Sequence, residues 1–385
     1  MTPSTPAITS RLPQVGTTIF TTMSALAVQC RAVNLGQGFP DFGCDPRLVD
    51  AVAEAMRQGH NQYPPMTGVA ALREAVAGKI AALYGHGYDA QAEITITAGA
   101  TQALLTAMLA AVQPGDEVIV LDPCYDSYVP AIELAGATAV RVPLTPGSFR
   151  PDFDRIGAAI GPRTRLIVIN SPHNPSGTVW SEAEMLRLQE LLAPTNVLVL
   201  SDEVYEHMVY DGLAHCSVSR YPGLAARSFV VSSFGKTFHV TGWKVGTVAA
   251  PAALTAEFRK VHQFNVFTVN TPMQVGLARY LQDPAPYLGL PAFYQTKRDF
   301  FRAGLQSSRL RLLDCQGTYF QSVDISAVTT LPEVDFCEWL TREIGVAAIP
   351  TSAFYGDGFE QGIVRFCFAK QEATLVQALE RLQKL

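Results

Sequence analysis

The sequence predicts an α/β fold: a large domain built on a mostly parallel, seven-stranded sheet between helices, followed by a smaller α+β domain. Three observations carry this. Short β-rich runs alternate with longer amphipathic segments, the pattern of parallel strands joined by crossover helices. The strand runs are apolar almost without interruption, so helices must cover both faces of the sheet. After about residue 275 the alternation gives way to a helix and then a strand–helix–strand–strand–helix series. With 385 residues the chain suits two domains. The boundaries read as 1–44 for an N-terminal arm and part of the small domain, 45–275 for the large domain, and 276–385 for the small C-terminal domain.

The strands follow in order: "EITITA" (93–98), "EVIVLD" (117–122), "TAVRVP" (138–143), "RLIVIN" (165–170), "NVLVLS" (196–201), "SFVVSS" (228–233) and "VGTVAA" (245–250). Between the fifth and fourth of these, "SEAEMLRLQELLA" (181–193) reads as a crossover helix, with Ser181 as N-cap and Glu184 closing a capping box. The last two strands are too close for a helical crossover, so one antiparallel pairing is expected there. Beyond 275, "PAFYQTKRDFFRAGLQ" is a helix, "TYFQSVDIS" a strand, "EVDFCEWLTREIG" a helix, "VAAIP" and "IVRFCFA" strands, and "ATLVQALERLQKL" a helix. The N-terminal segment is expected to complete this smaller unit.

The composition is that of an ordinary globular protein, 48% hydrophobic and 16% charged. A net charge of −5 gives no reason to expect nucleic acid or an anionic membrane as partner. No apolar run reaches the roughly 18 residues of a spanning helix. The opening "MTPSTPAITSRLP" lacks the basic and apolar regions of an export signal, which points to the cytoplasm. Seven scattered cysteines without C-x-x-C spacing fit reduced thiols rather than a disulfide framework or a zinc site. No metal site is expected, and Glu206-His207 reads as a helix surface pair. "GQGFPD" (36–41) fails as a dinucleotide fingerprint, because a proline and Asp41 stand where the third glycine should open a helix.

Gly235-Lys236-Thr237 has the letters of a phosphate loop. The motif needs a further glycine at position 230, which is Val230 inside an apolar strand run, so the cradle of backbone N–H groups is missing. Ligands of open α/β sheets sit beyond the carboxyl ends of the strands. Polar residues cluster at those ends: Gly99, Ala100 and Thr101 before a helix, Tyr125 after the second strand, Asn174 after the fourth, and Asp202 and Tyr205 after the fifth. Ser233 and Lys236 follow the sixth, with Lys244 eight residues on. The helix N-terminus at 99–101 offers free N–H groups to an anion.

"TAGATQAL", "NSPHNPSG", "SDEVYEH" and "SSFGKTFHVTGWKVG", in this order and spacing, resemble the fold-type I, pyridoxal-phosphate-dependent aminotransferases of classes I and II. Within that family "NLGQGFPDF", "NQYPPMTGVAALREA" and "VRFCFAK" are similar to the methionine and kynurenine (glutamine–phenylpyruvate) aminotransferases. The similarity runs from about residue 30 to the C-terminus.

The resemblance implies pyridoxal 5′-phosphate as cofactor and a role for each residue. Lys236 would supply the Schiff-base amine and then the proton shuttle. Asp202, with Glu203 as its rival, would hold the pyridine nitrogen protonated. Tyr205 and Asn174 would hydrogen-bond the phenolic oxygen, and Tyr125 would stack on the ring. The phosphate would take the N–H groups after Gly99 at Ala100 and Thr101, the hydroxyls of Thr101 and Ser233, and the charge of Lys244. Many relatives have an arginine at that last position; a lysine gives a point charge rather than a fork. Arg365 would clamp the substrate α-carboxylate with Asn174 and the Gly38 N–H, against the alternative of a structural ion pair. Phe20, Phe39 and Phe354, with Tyr355, would line a side-chain pocket without a cation. Tyr63 would reach a neighbouring subunit's phosphate, which implies a homodimer with shared active sites.

The implied reaction moves the amino group of methionine, an aromatic or another large neutral amino acid, kynurenine included, to a 2-oxo acid in a ping-pong cycle. A C–S β-lyase acting on cysteine conjugates or cystathionine is the alternative on the same cofactor. A non-enzymatic effector-binding domain of a DNA-binding regulator is disfavoured, because no basic or helix-turn-helix module precedes residue 30.

Overall fold

The computed structural model describes residues 8–385. The first seven residues, which open both the arm and the stretch read as lacking an export signal, lie outside the described residues.

Strand β1 (Val33–Asn34) follows the helix Ile19–Cys30, whose N-cap Thr18 accepts a hydrogen bond from the Thr21 N–H. The large sheet contains β2 (Ile94–Thr97), β3 (Glu117–Asp122), β4 (Thr138–Pro143), β5 (Thr164–Asn170), β6 (Leu198–Asp202), β7 (Ser228–Ser233) and β8 (Gly246–Ala249). Their spatial order is β2-β8-β7-β6-β5-β3-β4. All seven predicted strands are present in this one sheet. Alternate residues serve opposite cores: Val118, Val120, Leu166 and Val168 face one helical layer, Ile119, Leu121, Ile167 and Ile169 the other. The helix Glu182–Leu192 carries the Ser181–Glu184 capping box read from the sequence.

The antiparallel element differs from expectation in number. β8 runs antiparallel to both of its neighbours, β2 and β7, because it is inserted between them after a short return from β7. This matters for the ligand edge. The register sets Asn170 beside Asp202, and Ser233 beside Gly246. Since β8 is reversed, its amino end lies where the parallel strands finish, and Lys244 arrives beside Gly99. Both glycines there are demanded by space or conformation. A Cβ on Gly246 would stand 2.9 Å from the Ser232 carbonyl oxygen, and Gly99 has φ +77° with the Lys244 Nζ 3.2 Å from a Cβ position.

The second unit contains β9 (Arg311–Leu312), β10 (Phe320–Asp324), β11 (Val346–Ala347), β12 (Ile349–Pro350) and β13 (Ile363–Cys367). Four of these form an antiparallel sheet, β12-β13-β10-β9. "VAAIP", read as one strand, is split between β11 and β12. The N-terminal segment does reach this region, since β1 pairs in parallel with β11. The helix Thr271–Tyr280 runs through residue 275 and packs on the helices Pro46–Arg57 and Ala70–Tyr84. A domain boundary at 275 would cut it, so we propose the boundary after Tyr280. Among the described residues no helix is long and apolar enough to cross a membrane, and all seven cysteines are unpaired.

Candidate active site

A cavity of about 270 Å³ opens at the carboxyl edge of the large sheet, where the small sheet closes over it. Lys236 sits on a single helical turn, Phe234–Thr237, that leaves β7 directly. Its Nζ donates to the Tyr319 hydroxyl at 2.8 Å and to the Gly38 carbonyl at 3.1 Å. Burial lowers its pKa to about 8, and the nearby Arg365 and Lys244 cations act in the same direction. The amine is therefore still mostly protonated near physiological pH, but with a minor neutral fraction far larger than an ordinary lysine has.

Asp202 ends β6 and faces the same cavity. Its carboxylate accepts from the Tyr128 hydroxyl at 2.7 Å and from the Val204 N–H at 3.3 Å. Burial raises its pKa to about 6, against the lowering effect of those hydrogen bonds. Glu203, the rival, does not line the cavity. It is turned to the other side, where it accepts from Ser201 Oγ at 2.8 Å and the Val218 N–H at 3.1 Å, and it meets His215 Nε2 at 2.8 Å.

Gly99, Ala100, Thr101, Ser233 and Lys244 make up one end of the cavity. The helix Gly99–Ala111 begins there without a side-chain cap, so its first N–H groups are free. Tyr125 and Tyr205 line the walls. The Tyr205 ring stands edge-on to Tyr319 and Phe320, with Lys236 Nζ 5.5 Å from its centre.

Arg365 lines the cavity from the middle of β13, 1% exposed. Its Nη1 donates to Asn174 Oδ1 at 2.6 Å and its Nη2 to the Gly36 carbonyl at 3.3 Å, while Nε has no partner. Among the described residues no carboxylate forms an ion pair with it, which removes the structural-pair alternative. Phe320 lies flat beneath the guanidinium at 3.8 Å, with Phe354 at 5.2 Å and Phe20 at 5.5 Å. Burial lowers the pKa to about 10. A buried cation kept without a counter-charge is poised for an anionic ligand.

Several residues depart from expectation. Gly38 lines the cavity, but the contact recorded there is its carbonyl, which accepts from Lys236 and, at 2.5 Å, from the Tyr319 hydroxyl. Phe39 does not line the cavity. Lys370 donates to its carbonyl at 2.8 Å and stands over its ring at 5.2 Å, which holds the half-exposed side chain outside. Phe354 is buried behind Phe20, edge-on at 5.8 Å, rather than in the cavity itself. Tyr63 is 80% exposed beside Phe267 and away from its own chain's cavity. Glu206-His207 is neither helical nor at the surface. Both are buried, and Lys79 Nζ reaches Glu206 at 2.6 Å and His207 Nε2 at 3.2 Å. Tyr84 and Ser232 also donate to Glu206.

Sequence reasoning missed Tyr128, Tyr319, Phe320, Asn170 and Asp126. Asn170 was within reach, lying four residues before Asn174 at a strand end. Its side chain accepts from the Asn174 N–H at 2.8 Å and donates to the Asp202 carbonyl at 2.8 Å, linking the two. Tyr319 and Tyr128 gave no local signal.

The donor set suits pyridoxal phosphate: free N–H groups, two hydroxyls and a lysine for a phosphate, a carboxylate for a ring N–H, and an amine between them. The comparisons point the same way. A family model described as aminotransferase class I and II matches residues 31–382. The chain is 54% identical over 377 residues to the methionine aminotransferase of Escherichia coli (strain K12), spanning 98% of each. It is 33% identical over 409 residues to kynurenine–oxoglutarate transaminase 1 of Rattus norvegicus, spanning 97% of each. The solved N-succinyldiaminopimelate aminotransferase from Mycobacterium tuberculosis is similar with a TM-score of 0.95 at 41% identity, over 98% of this chain and 100% of that one.

Proposed function

The chain belongs to the class I and II aminotransferases, and from that premise we propose that it transfers the amino group of methionine and other large neutral amino acids, aromatic ones and kynurenine included, to a 2-oxo acid. Aminotransferases of this kind use pyridoxal phosphate. When bound, that cofactor supplies an aldehyde that condenses with amines and a protonated ring that accepts the electron pair of a broken Cα–H bond.

The chain's own residues divide the remaining work. The N–H groups at Ala100 and Thr101, the Thr101 and Ser233 hydroxyls and Lys244 would hold the phosphate. Tyr125 would pack on the ring, Tyr205 and Asn174 would donate to its phenolic oxygen, and Asp202 would keep a proton on its nitrogen. Lys236 would attach the cofactor and, once free, take the proton from the substrate Cα at its Nζ. A pKa near 8 suits an amine that must both accept and return a proton at neutral pH. Arg365 and Asn174 would fix the α-carboxylate. One cavity would serve donor and acceptor in turn, in keeping with a ping-pong order.

The observation that carries this reading is the convergence of Lys236, Asp202 and an unpaired, buried Arg365 on one cavity. The preference for neutral side chains is supported by the aromatic surroundings of Arg365, where Phe20, Phe320 and Phe354 stand close to the guanidinium. We further propose a cytoplasmic homodimer in which Tyr63 serves the neighbouring site; the exposed Tyr63–Phe267 pair and the unpaired cysteines support it. Measuring kcat/KM for methionine, phenylalanine, kynurenine and aspartate with one fixed oxo acid tests the reading. The first three should exceed aspartate by about tenfold or more; aspartate as the best donor would overturn it.

A further inference from the structure

Beside the catalytic cavity lies a second one of about 740 Å³, and Tyr125 and Asp126 line both. Val15, Val129, Phe354 and Tyr355 give the second cavity apolar walls. Its charged lining residues are Asp126, Glu133 and Arg141. Arg141 is already neutralised, with its Nη1 2.8 Å from Asp122. The charge left facing the space is negative.

Asp126 stands at the junction of the two cavities. Among the described residues no other residue donates a hydrogen bond to its carboxylate and no ion pair holds it, although Arg365 lines the same catalytic cavity and acts on it electrostatically. Burial raises its pKa and Arg365 draws it back down. A carboxylate without a partner of its own in a substrate cavity acts on whatever enters.

We propose that Asp126 determines side-chain specificity: with the α-carboxylate on Arg365, a side chain extending toward the second cavity passes the Asp126 carboxylate, which repels a side-chain carboxylate and admits a neutral side chain, favouring one with an N–H donor. The inference rests on the aminotransferase reading of the site. It adds repulsion to the aromatic surroundings of Arg365, so that acidic side chains are rejected actively rather than merely left unpaired. Apolar walls beyond Asp126 then receive the remainder of a long neutral side chain.

Glutamine and glutamate form the test pair, equal in shape and different in charge. In the holoenzyme glutamine should be the better donor. Asp126→Asn should raise the glutamate-to-glutamine ratio of kcat/KM by about tenfold. A second arm reads binding without turnover, by calorimetric titration of the holoenzyme with glutarate and with pentanoate. Asp126→Asn should tighten glutarate relative to pentanoate by a similar factor. If neither amino acid is turned over by the unaltered enzyme, the aminotransferase reading fails on these substrates and the binding arm still decides the role of Asp126. Both ratios staying at the unaltered values in a variant that retains its cofactor overturns the proposal. Should Asp126→Asn lose the cofactor, Asp126→Ser carries the same comparison.

Discussion

Lys236 shows how a single side chain is prepared by its neighbours. Its amine leans on two acceptors, the Tyr319 hydroxyl and the Gly38 carbonyl, and Tyr319 itself donates to Gly38. The hydroxyl therefore offers Lys236 a lone pair, which favours the charged amine against the burial that disfavours it. Tyr319→Phe removes this support, and the amine pKa should fall below about 8. After removal of the cofactor, the pH profile for acylation of Lys236, read by mass spectrometry, should shift to lower pH by roughly half a unit or more; an unmoved profile would show that Tyr319 does not hold the amine. At this scale the sequence was legible where chemistry demands a residue type. An amine just after a strand, a carboxylate at a strand end and an arginine in an apolar strand each stand out at Lys236, Asp202 and Arg365. Tyr128 and Tyr319 do not, because their partners are 74 and 83 residues away and only the folded sheet brings them together.

Elements were legible to the extent that their patterns are local. The seven long strands and the Glu182–Leu192 helix announce themselves by apolar runs and caps, whereas two-residue strands such as β1, β9 and β11 have no period to read. The double antiparallel pairing of β8 was half seen, since loop length reveals a reversal but not an insertion between two strands. Behind the cavity, Glu206 ties three elements together. It follows Tyr205 in the β6 loop, receives Ser232 from β7, and pairs with Lys79 on the helix Ala70–Tyr84. Burial alone would raise its pKa, but the charge and hydrogen bond of Lys79 and the Ser232 hydroxyl hold it well below the usual carboxylate range. Glu206→Gln leaves the buried Lys79 amine without its carboxylate, with only His207 beside it, at a cost of about 3–5 kcal/mol. The denaturation midpoint should fall accordingly, and Lys79→Met added to it should restore much of the loss. A double variant no more stable than the single one would show that the ion pair is not the source.

For the whole molecule, buried histidines set the acid limit. Burial lowers the pKa of His173, His239 and His262 to about 4 and that of His207 to about 3. Each is therefore neutral in the fold and takes a proton near 6.5 when unfolded, so the unfolded chain gains protons first as pH falls. Stability should be full above about 6.5 and decline steadily toward 4. Asp202 and Asp126 oppose this, since their raised values make the folded state take the proton first, but they are two groups against four. At about 1.4 kcal/mol per pKa unit the four histidines together weigh heavily against an ordinary domain's stability as pH falls toward 4. Denaturant midpoints of the holoenzyme between pH 7.5 and 4.5 check this, and a flat series would contradict it. The fold closes in one further respect. Phe20 and Gly38 come from near the beginning of the chain and Arg365 from near its end, and β1 finds its partner only in β11. During synthesis the large sheet, with Lys236 and Asp202 in place, can form while the segment bearing Arg365 is still inside the ribosome. The nascent polypeptide thus acquires the Lys236 amine well before the Arg365 guanidinium proposed to hold a carboxylate. Translation that stops early leaves the amine without the guanidinium, and the cavity is complete only when the last stretch has emerged and folded back on the first.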